Sequence, residues 1–271
     1  LQNLAGINDT PDILYKDILA KAEDQCDKNL VRHVANESAK TVDWLVDRWQ
    51  LPLSCISNFV YPGHTVPHMH ASPSRFGAEL LNVLLQAVTG EGIQIITSAT
   101  VTDLYADQDG KIRGIRMARP DGKEEDFGCE ALILACNGYG GNKELLKKYI
   151  PEIVNAHYHG HDGNQGDAII WGENLGASIK DMGAFQGHGA VITPHNIHIG
   201  WPAITEGGIQ VNKSGLRFSN ENHGYSEQAL NVVRQPDHVA WTVWDQRCQD
   251  IALQMHSHKE AMKAGAIKKY N

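Results

Sequence analysis

The chain has 271 residues, 42% of them hydrophobic and 21% charged, with a formal charge of −8. This acidic balance argues against a nucleic-acid backbone or an anionic membrane as the main partner, while a local basic pocket for an acidic substrate stays open. No apolar run approaches the ~18 residues of a membrane span, and the five scattered cysteines, with no C-x-x-C, read as reduced thiols of a cytoplasmic compartment.

Thr10-Pro11 places a hydroxyl N-cap before a proline at the first helical position, and helical periodicity runs over residues 11–25. A second helix is predicted over Asn29–Trp49, with Leu30, Val34, Val42, Leu45 and Val46 on its apolar side. Residues 50–75, rich in proline, histidine and serine, read as a loop. A third helix fits Phe76–Val88, with Leu80, Leu81, Leu84, Leu85 and Val88 inward. Gly92–Thr97 reads as a short buried strand. Thr100–Ala106, Lys111–Ala118 and Lys123–Gly128 follow as an antiparallel meander whose turns hold Asp109-Gly110 and Asp121-Gly122, pairs suited to the positive φ angles of tight hairpins. Ala131–Ala135 is a continuous apolar run, as expected of a strand buried on both faces. It leads through a glycine-rich loop to Asn142, an N-cap for a helix from Lys143. A further short helix is expected from Asp167 to Leu175, stopped at Gly176.

This order of elements, with its motifs, resembles the FAD-binding flavoproteins that include soluble fumarate reductases, succinate dehydrogenase flavoprotein subunits and 3-ketosteroid Δ1-dehydrogenases. Ala135-Cys136-Asn137-Gly138-Tyr139-Gly140-Gly141-Asn142 stands where they carry A-T-G-G-F-x-x-N, departing at Cys136 and Asn137. Gly163–Ala168 resembles G-x-T-G-D-G. Gln186-Gly187-His188 resembles Q-x-H-P, with Gly189 in place of the proline. Gly208–Glu221 resembles G-I-x-V-N-x-x-G-x-R-F-x-N-E, and Gly63–His70 resembles the loop that passes near the flavin.

The resemblance implies a mixed α/β (α+β) fold. A partial FAD-binding, Rossmann-like domain with the meander would cover residues 1–145, and an α+β substrate-capping domain residues 146–271. The family's glycine-rich dinucleotide fingerprint would lie ahead of Leu1, and the segment completing the flavin site beyond Asn271. The chain is therefore expected to be part of a longer, FAD-dependent protein that exchanges a hydride between flavin N5 and a carbon beside a carbonyl or carboxyl group, with a small-molecule substrate and an electron partner that the sequence does not identify. FAD contacts are implied for His64, His68, Val101, Ala135, Cys136, Asn137, Gly138, Gly166 and Asp167. Five of them have a plainer alternative: Val101 as strand core, Gly166-Asp167 as an ordinary helix start, and the two histidines as loop residues.

Fumarate reductases carry a proton-delivering arginine four residues after the R-F-x-N-E glutamate; Tyr225 stands there. Thr205 and Glu206 occupy the place of a second substrate-binding arginine, and Glu206 would repel a dicarboxylate. Ketosteroid dehydrogenases instead show R-F-x-N-E-S-x-P-Y, which Arg217–Tyr225 matches apart from Asn222, His223 and Gly224. Tyr225 is thus the candidate for proton transfer, assisted by His223 or His188, with a tyrosine that merely lines the cleft as the alternative. Thr205, Glu206 and Glu221 fall on the substrate side. His188 matches a substrate-bonding histidine or, alternatively, caps a turn. Two competing readings remain: a non-catalytic fragment that binds no FAD, and a histidine-based metal protein, suggested by the spacings of His64, His68 and His70 and of His157, His159 and His161.

Overall fold

A computed structural model describes residues 1–270. Helix α1 (Pro11–Lys21) begins as its sequence dictates, with the Thr10 hydroxyl accepting from Ile13 N–H at 3.3 Å and Pro11 in the first turn. It ends four residues short of the periodic stretch, because Glu23 and Asp24 take positive φ. Helix α2 (Lys28–Trp49) is capped by Asp27, which accepts from the N–H groups of Asn29 and Leu30. It buries Val31 and Ala35, while Leu30 and Val34 lie exposed. The buried stripe is set by α1, onto which Arg32 reaches to pair with Asp12 at 2.6 Å and to stack over Tyr15 at 3.6 Å. The following loop contains one short antiparallel pairing, β1 (Ser54–Cys55) with β2 (His70–Ala71).

Helix α3 (Gly77–Gly90) leaves Leu81, Leu84 and Leu85 at the surface rather than inward. It meets α2 along one side only, and a 450 Å³ groove lined by Trp44, Trp49, Leu84, Val88 and Ile93 opens between them.

The meander forms as predicted: β3 (Thr100–Ala106), β4 (Ile112–Ala118) and β5 (Glu124–Gly128) pair antiparallel in that order. Its turns differ in detail. Only the glycines, Gly110 and Gly122, have positive φ. Side chains shape the turns instead: Asp107, two residues before the Asp109-Gly110 pair, accepts from the N–H groups of Asp109 and Lys111, and Asp121 accepts from that of Lys123.

Two expected strands, Gly92–Thr97 and Ala131–Ala135, do not form. A doubly buried strand needs neighbours for its backbone N–H and C=O groups and cover for both faces. Among the described residues neither segment has a ladder partner, and Ile133 is 88% exposed.

Beyond Asn142, which caps α4 (Lys143–Tyr149) as expected, an apolar cluster gathers Tyr139, Leu146 and Ile150 with Ile169 and Phe185, so packing is continuous across residue 145. Helix α5 (Asp167–Asn174) follows. The hairpin β6 (Val191–Ile192) and β7 (Ile197–His198), the short helix α6 (Pro202–Thr205), and the pair β8 (Ile209–Val211) and β9 (Trp241–Val243) surround a second cluster of Ala190, Ile199, Trp201, Ala203, Ile204 and Ala252. Helix α7 (Tyr225–Val233) enters between β8 and β9 in the chain, and α8 (Gln246–Ala252) and α9 (His256–Lys263) are the last helices among the described residues. The fold is mixed α/β with small antiparallel sheets. No described helix is long and apolar enough to cross a membrane.

Candidate functional site

The segment Arg217–Tyr225 is shaped by an ion pair. Glu221 is buried, 2% exposed, and receives two bonds from Arg217, at 2.7 and 3.1 Å on one oxygen, and the Gln210 backbone N–H at 2.7 Å on the other. Burial raises its pKa, but Arg217 and the Gln210 N–H outweigh that and hold the carboxyl below its usual range. Glu221, expected on the substrate side, is thus fully engaged within the chain. Asn220 caps a single 3₁₀ turn over Glu221–His223, and Gly224 then adopts φ 125°, ψ 161°, a region open essentially to glycine. Tyr225 emerges as the first residue of α7.

Tyr225 stacks on His188, with ring centroids 5.2 Å apart and planes 16° apart, and meets Trp201 edge-on at 5.9 Å. Its hydroxyl accepts from Gln186 Nε2 at 3.0 Å, leaving its own proton to donate. The stack is held by the backbone and by a buried amide network. Gly189 N–H donates to Tyr225 O at 3.0 Å. Gln210 and Gln228, each 1% exposed, link Gly189 O (2.7 Å) to α7, with Gln228 Nε2 donating to Gln210 Oε1 at 2.7 Å. A Cβ on Gly189 would meet Gln228 at 2.8 Å. Glycine in place of the family's proline is therefore explained twice, by the N–H and by the space.

Burial, aided by His198 and His159, pushes the His188 pKa down to about 4. His188 is neutral near pH 7. Its Nδ1 accepts from Ala190 N–H at 3.3 Å, which assigns the ring proton to Nε2 and makes that nitrogen an uncharged donor. His223 is exposed; its ring lies 3.2 Å from Asn220 Nδ2, and no contact joins it to the Tyr225 phenol. Thr205 Oγ1 and Trp201 Nε1, both on the α6 segment, are buried without protein partners. Glu206 pairs with Arg247 at 3.3 Å.

From the first half of the chain, the loop 61–70 closes on this cluster. Tyr61 lies 5.3 Å from Tyr225 and 5.6 Å from His64, and His64 lies 5.0 Å from His68, all as ring centroids. Burial, followed by the nearby Tyr225, raises the Tyr61 phenol well above its ordinary value; burial and then His68 lower that of His64. Tyr61 was not among the residues singled out from sequence: its signal was only an aromatic beside Pro62-Gly63. His68 spans two carboxylates, Asp9 and Asp17, each at 3.0 Å.

A second feature brings together Val101, Ala135, Cys136 and Asp167, four of the residues expected to contact FAD. They line an open trench of 310 Å³ with Leu104 and Trp171. Its lining includes none of the Tyr225 cluster. Asn137 takes φ 62°, and a Cβ on Gly138 would meet nothing. A Cβ on Gly166 would strike Leu145 and Tyr139, so that glycine serves packing. The trench, with apolar walls and one carboxylate, fits a flat ring system, and so part of a flavin dinucleotide. A diphosphate needs converging N–H donors or cations, and the trench lining supplies neither from its side chains. Among the described residues, no group of three histidine, cysteine, aspartate or glutamate side chains is placed to hold a metal ion.

A meander beside an apolar trench, and a histidine–tyrosine cluster met by a loop from the other half of the chain, are the two parts of the site, and the fold that carries them is that of a flavin-binding protein. The chain belongs to the FAD binding domain family, whose model matches residues 1–250. It is 25% identical over 269 residues to a probable fumarate reductase of Shewanella frigidimarina, covering 97% of this chain and 45% of that protein. Among solved structures it is similar to the open conformation of a flavocytochrome c3 fumarate reductase (TM-score 0.79, 24% identity, 98% of this chain and 46% of that one). It is also similar to a 3-ketosteroid Δ1-dehydrogenase from Sterolibacterium denitrificans (TM-score 0.68, 15% identity, 90% and 59%). The chain thus spans about half the length of these relatives.

Proposed function

We propose that the protein containing this chain is an FAD-dependent oxidoreductase acting on a C–C bond beside a carbonyl or carboxyl group, with Tyr225 handling the proton. The division of labour is a flavin-side part over residues 1–145 and a substrate-capping part over 146–271. FAD, when bound, supplies the hydride exchange. The observation that carries the proposal is the Tyr225–His188 stack: a phenol oriented by an exposed bond from Gln186 beside an uncharged imidazole donor whose ring is set by the half-buried Ala190 N–H. Tyr225 donates or receives a proton on the carbon next to the reacting one. His188 Nε2 and the partnerless Thr205 and Trp201 groups orient a substrate oxygen.

The chemistry favours a substrate with a neutral carbonyl, in the manner of a ketosteroid dehydrogenase, over a dicarboxylate. A dicarboxylate calls for guanidinium forks. Here Tyr225 replaces one arginine, Arg217 is engaged by Glu221, and Arg247 by Glu206. A second reading, favoured by the exposure of Ile133 and the openness of the trench, is that these residues alone bind no FAD.

The test is Tyr225→Phe in the full-length protein, screened with steroid ketones, cyclic enones and unsaturated acids in both redox directions. Turnover should fall by about 10²–10⁴, the usual worth of general acid–base catalysis, with flavin absorbance unchanged. Turnover within twofold of the parent would remove Tyr225 from the chemistry.

A further inference from the structure

Resting on that role for Tyr225, we infer that α1 is the positioning element of the site: Asp17 fixes the loop that carries Tyr61 and His64, and Lys21, one turn on, ties that loop to the start of α7. Asp17 is the one residue of α1 that is buried. Burying a carboxylate is costly unless it is bonded, and an aliphatic residue would serve simple packing better. Asp17 receives the Thr65 N–H at 2.8 Å, the Thr65 hydroxyl at 3.2 Å and His68 Nε2 at 3.0 Å. Burial alone would raise its pKa, but these bonds prevail and hold it below the usual range.

The loop needs such an anchor. It contains Pro62, Gly63 and Pro67 and forms no helix, and its only ladder contact is at its end, where His70 pairs with Cys55. From the same face of α1, at spacing i,i+4, the Lys21 stem packs on Gly63, where an added Cβ would meet its Cδ at 3.1 Å. Lys21 Nζ then reaches Glu227 at 2.5 Å and donates to His223 O at 3.3 Å. Glu227 is the third residue of α7 and Tyr225 the first. Two residues of one helix thereby set the distance between Tyr61 and Tyr225. Asp17, buried with three bonds, carries more of this than the half-exposed Lys21–Glu227 pair.

The experiment uses the full-length, FAD-loaded protein. In Asp17→Asn, the loop should loosen, so that Tyr61 titrates near ~10 like a free phenol, seen as an increment of tyrosinate absorbance over the parent, above that of the other seven tyrosines of the chain, that is lost in Asp17→Asn/Tyr61→Phe. On the best substrate of the screen, kcat should drop about tenfold with KM within twofold and the flavin spectrum intact. The loss should also be non-additive with that of Tyr61→Phe, as expected of residues acting through one another. An unchanged Tyr61 titration, or losses that multiply, would overturn the inference. If Asp17→Asn does not fold, Lys21→Met serves: it should lower kcat about threefold, non-additively with Tyr61→Phe, and an unchanged kcat or losses that multiply overturn the inference. The titration needs no substrate. It therefore tests α1 even if Tyr225→Phe remains active and the proton role fails.

Discussion

The Tyr225 cluster and the apolar trench are supported to different degrees by this chain. Around Tyr225, every element is tied to another: Gly189 to Tyr225, Gln210 to Gln228, and Glu221 to Arg217 and to β8. The trench is lined by a segment, Leu132–Cys136, that has no strand partner among the described residues, and Ile133 projects into solvent. The difference teaches that a site made of side chains on capped helices and ion-paired turns can be complete locally. A site made of buried parallel-type strands depends on neighbours along the whole sheet.

Three substitutions sharpen or break that contrast. Gly189→Pro, which restores the family's residue, removes the N–H given to Tyr225 and places atoms where Gln228 already lies. It should cost about 3 kcal/mol or more in urea unfolding; full stability would mean the stack is not held as described. Glu221→Gln should cost about 2 kcal/mol at pH 7. Because the folded-state pKa of Glu221 lies below its unfolded value of about 4.3, its stabilisation is present above that pH. It is lost as pH falls through the folded-state pKa. The variant should accordingly show a shallower acid decline; identical acid curves would deny the carboxylate its role. Ile133→Ser, in the trench, should change the stability of these residues by no more than about 0.5 kcal/mol, and a loss above 2 would show that the trench is closed.

Much of this was legible in advance. Thr10, Asn142 and the Asp-Gly turns spoke through local chemistry, and local chemistry needs no distant partner. The motif order pointed to Val101, Ala135, Cys136 and Asp167, which the fold does bring to one trench. What sequence could not show was which apolar stripe would be covered. Leu30 and Leu84 look as buriable as Val31, but the position of α1 decides for α2 and the one-sided meeting of α3 with α2 decides for Leu84. Tyr61, Asp17 and the Gln210–Gln228 pair were invisible for a related reason. Each acts across 18 to 164 residues of chain (Gln210 to Gln228, Tyr61 to Tyr225), and nothing in their immediate sequence announces the contact.

Gly224 carries one more consequence. The ketosteroid-type pattern has proline just before its tyrosine, and proline holds φ near −65°, whereas the backbone here stands at φ 125°. Aligned letter by letter, the two tyrosines are equivalent; traced along the main chain, they are reached by different routes. A chimera grafting the S-x-P-Y stretch into this chain would swing the aromatic ring away from His188 even as its letters come to match the ketosteroid-type pattern.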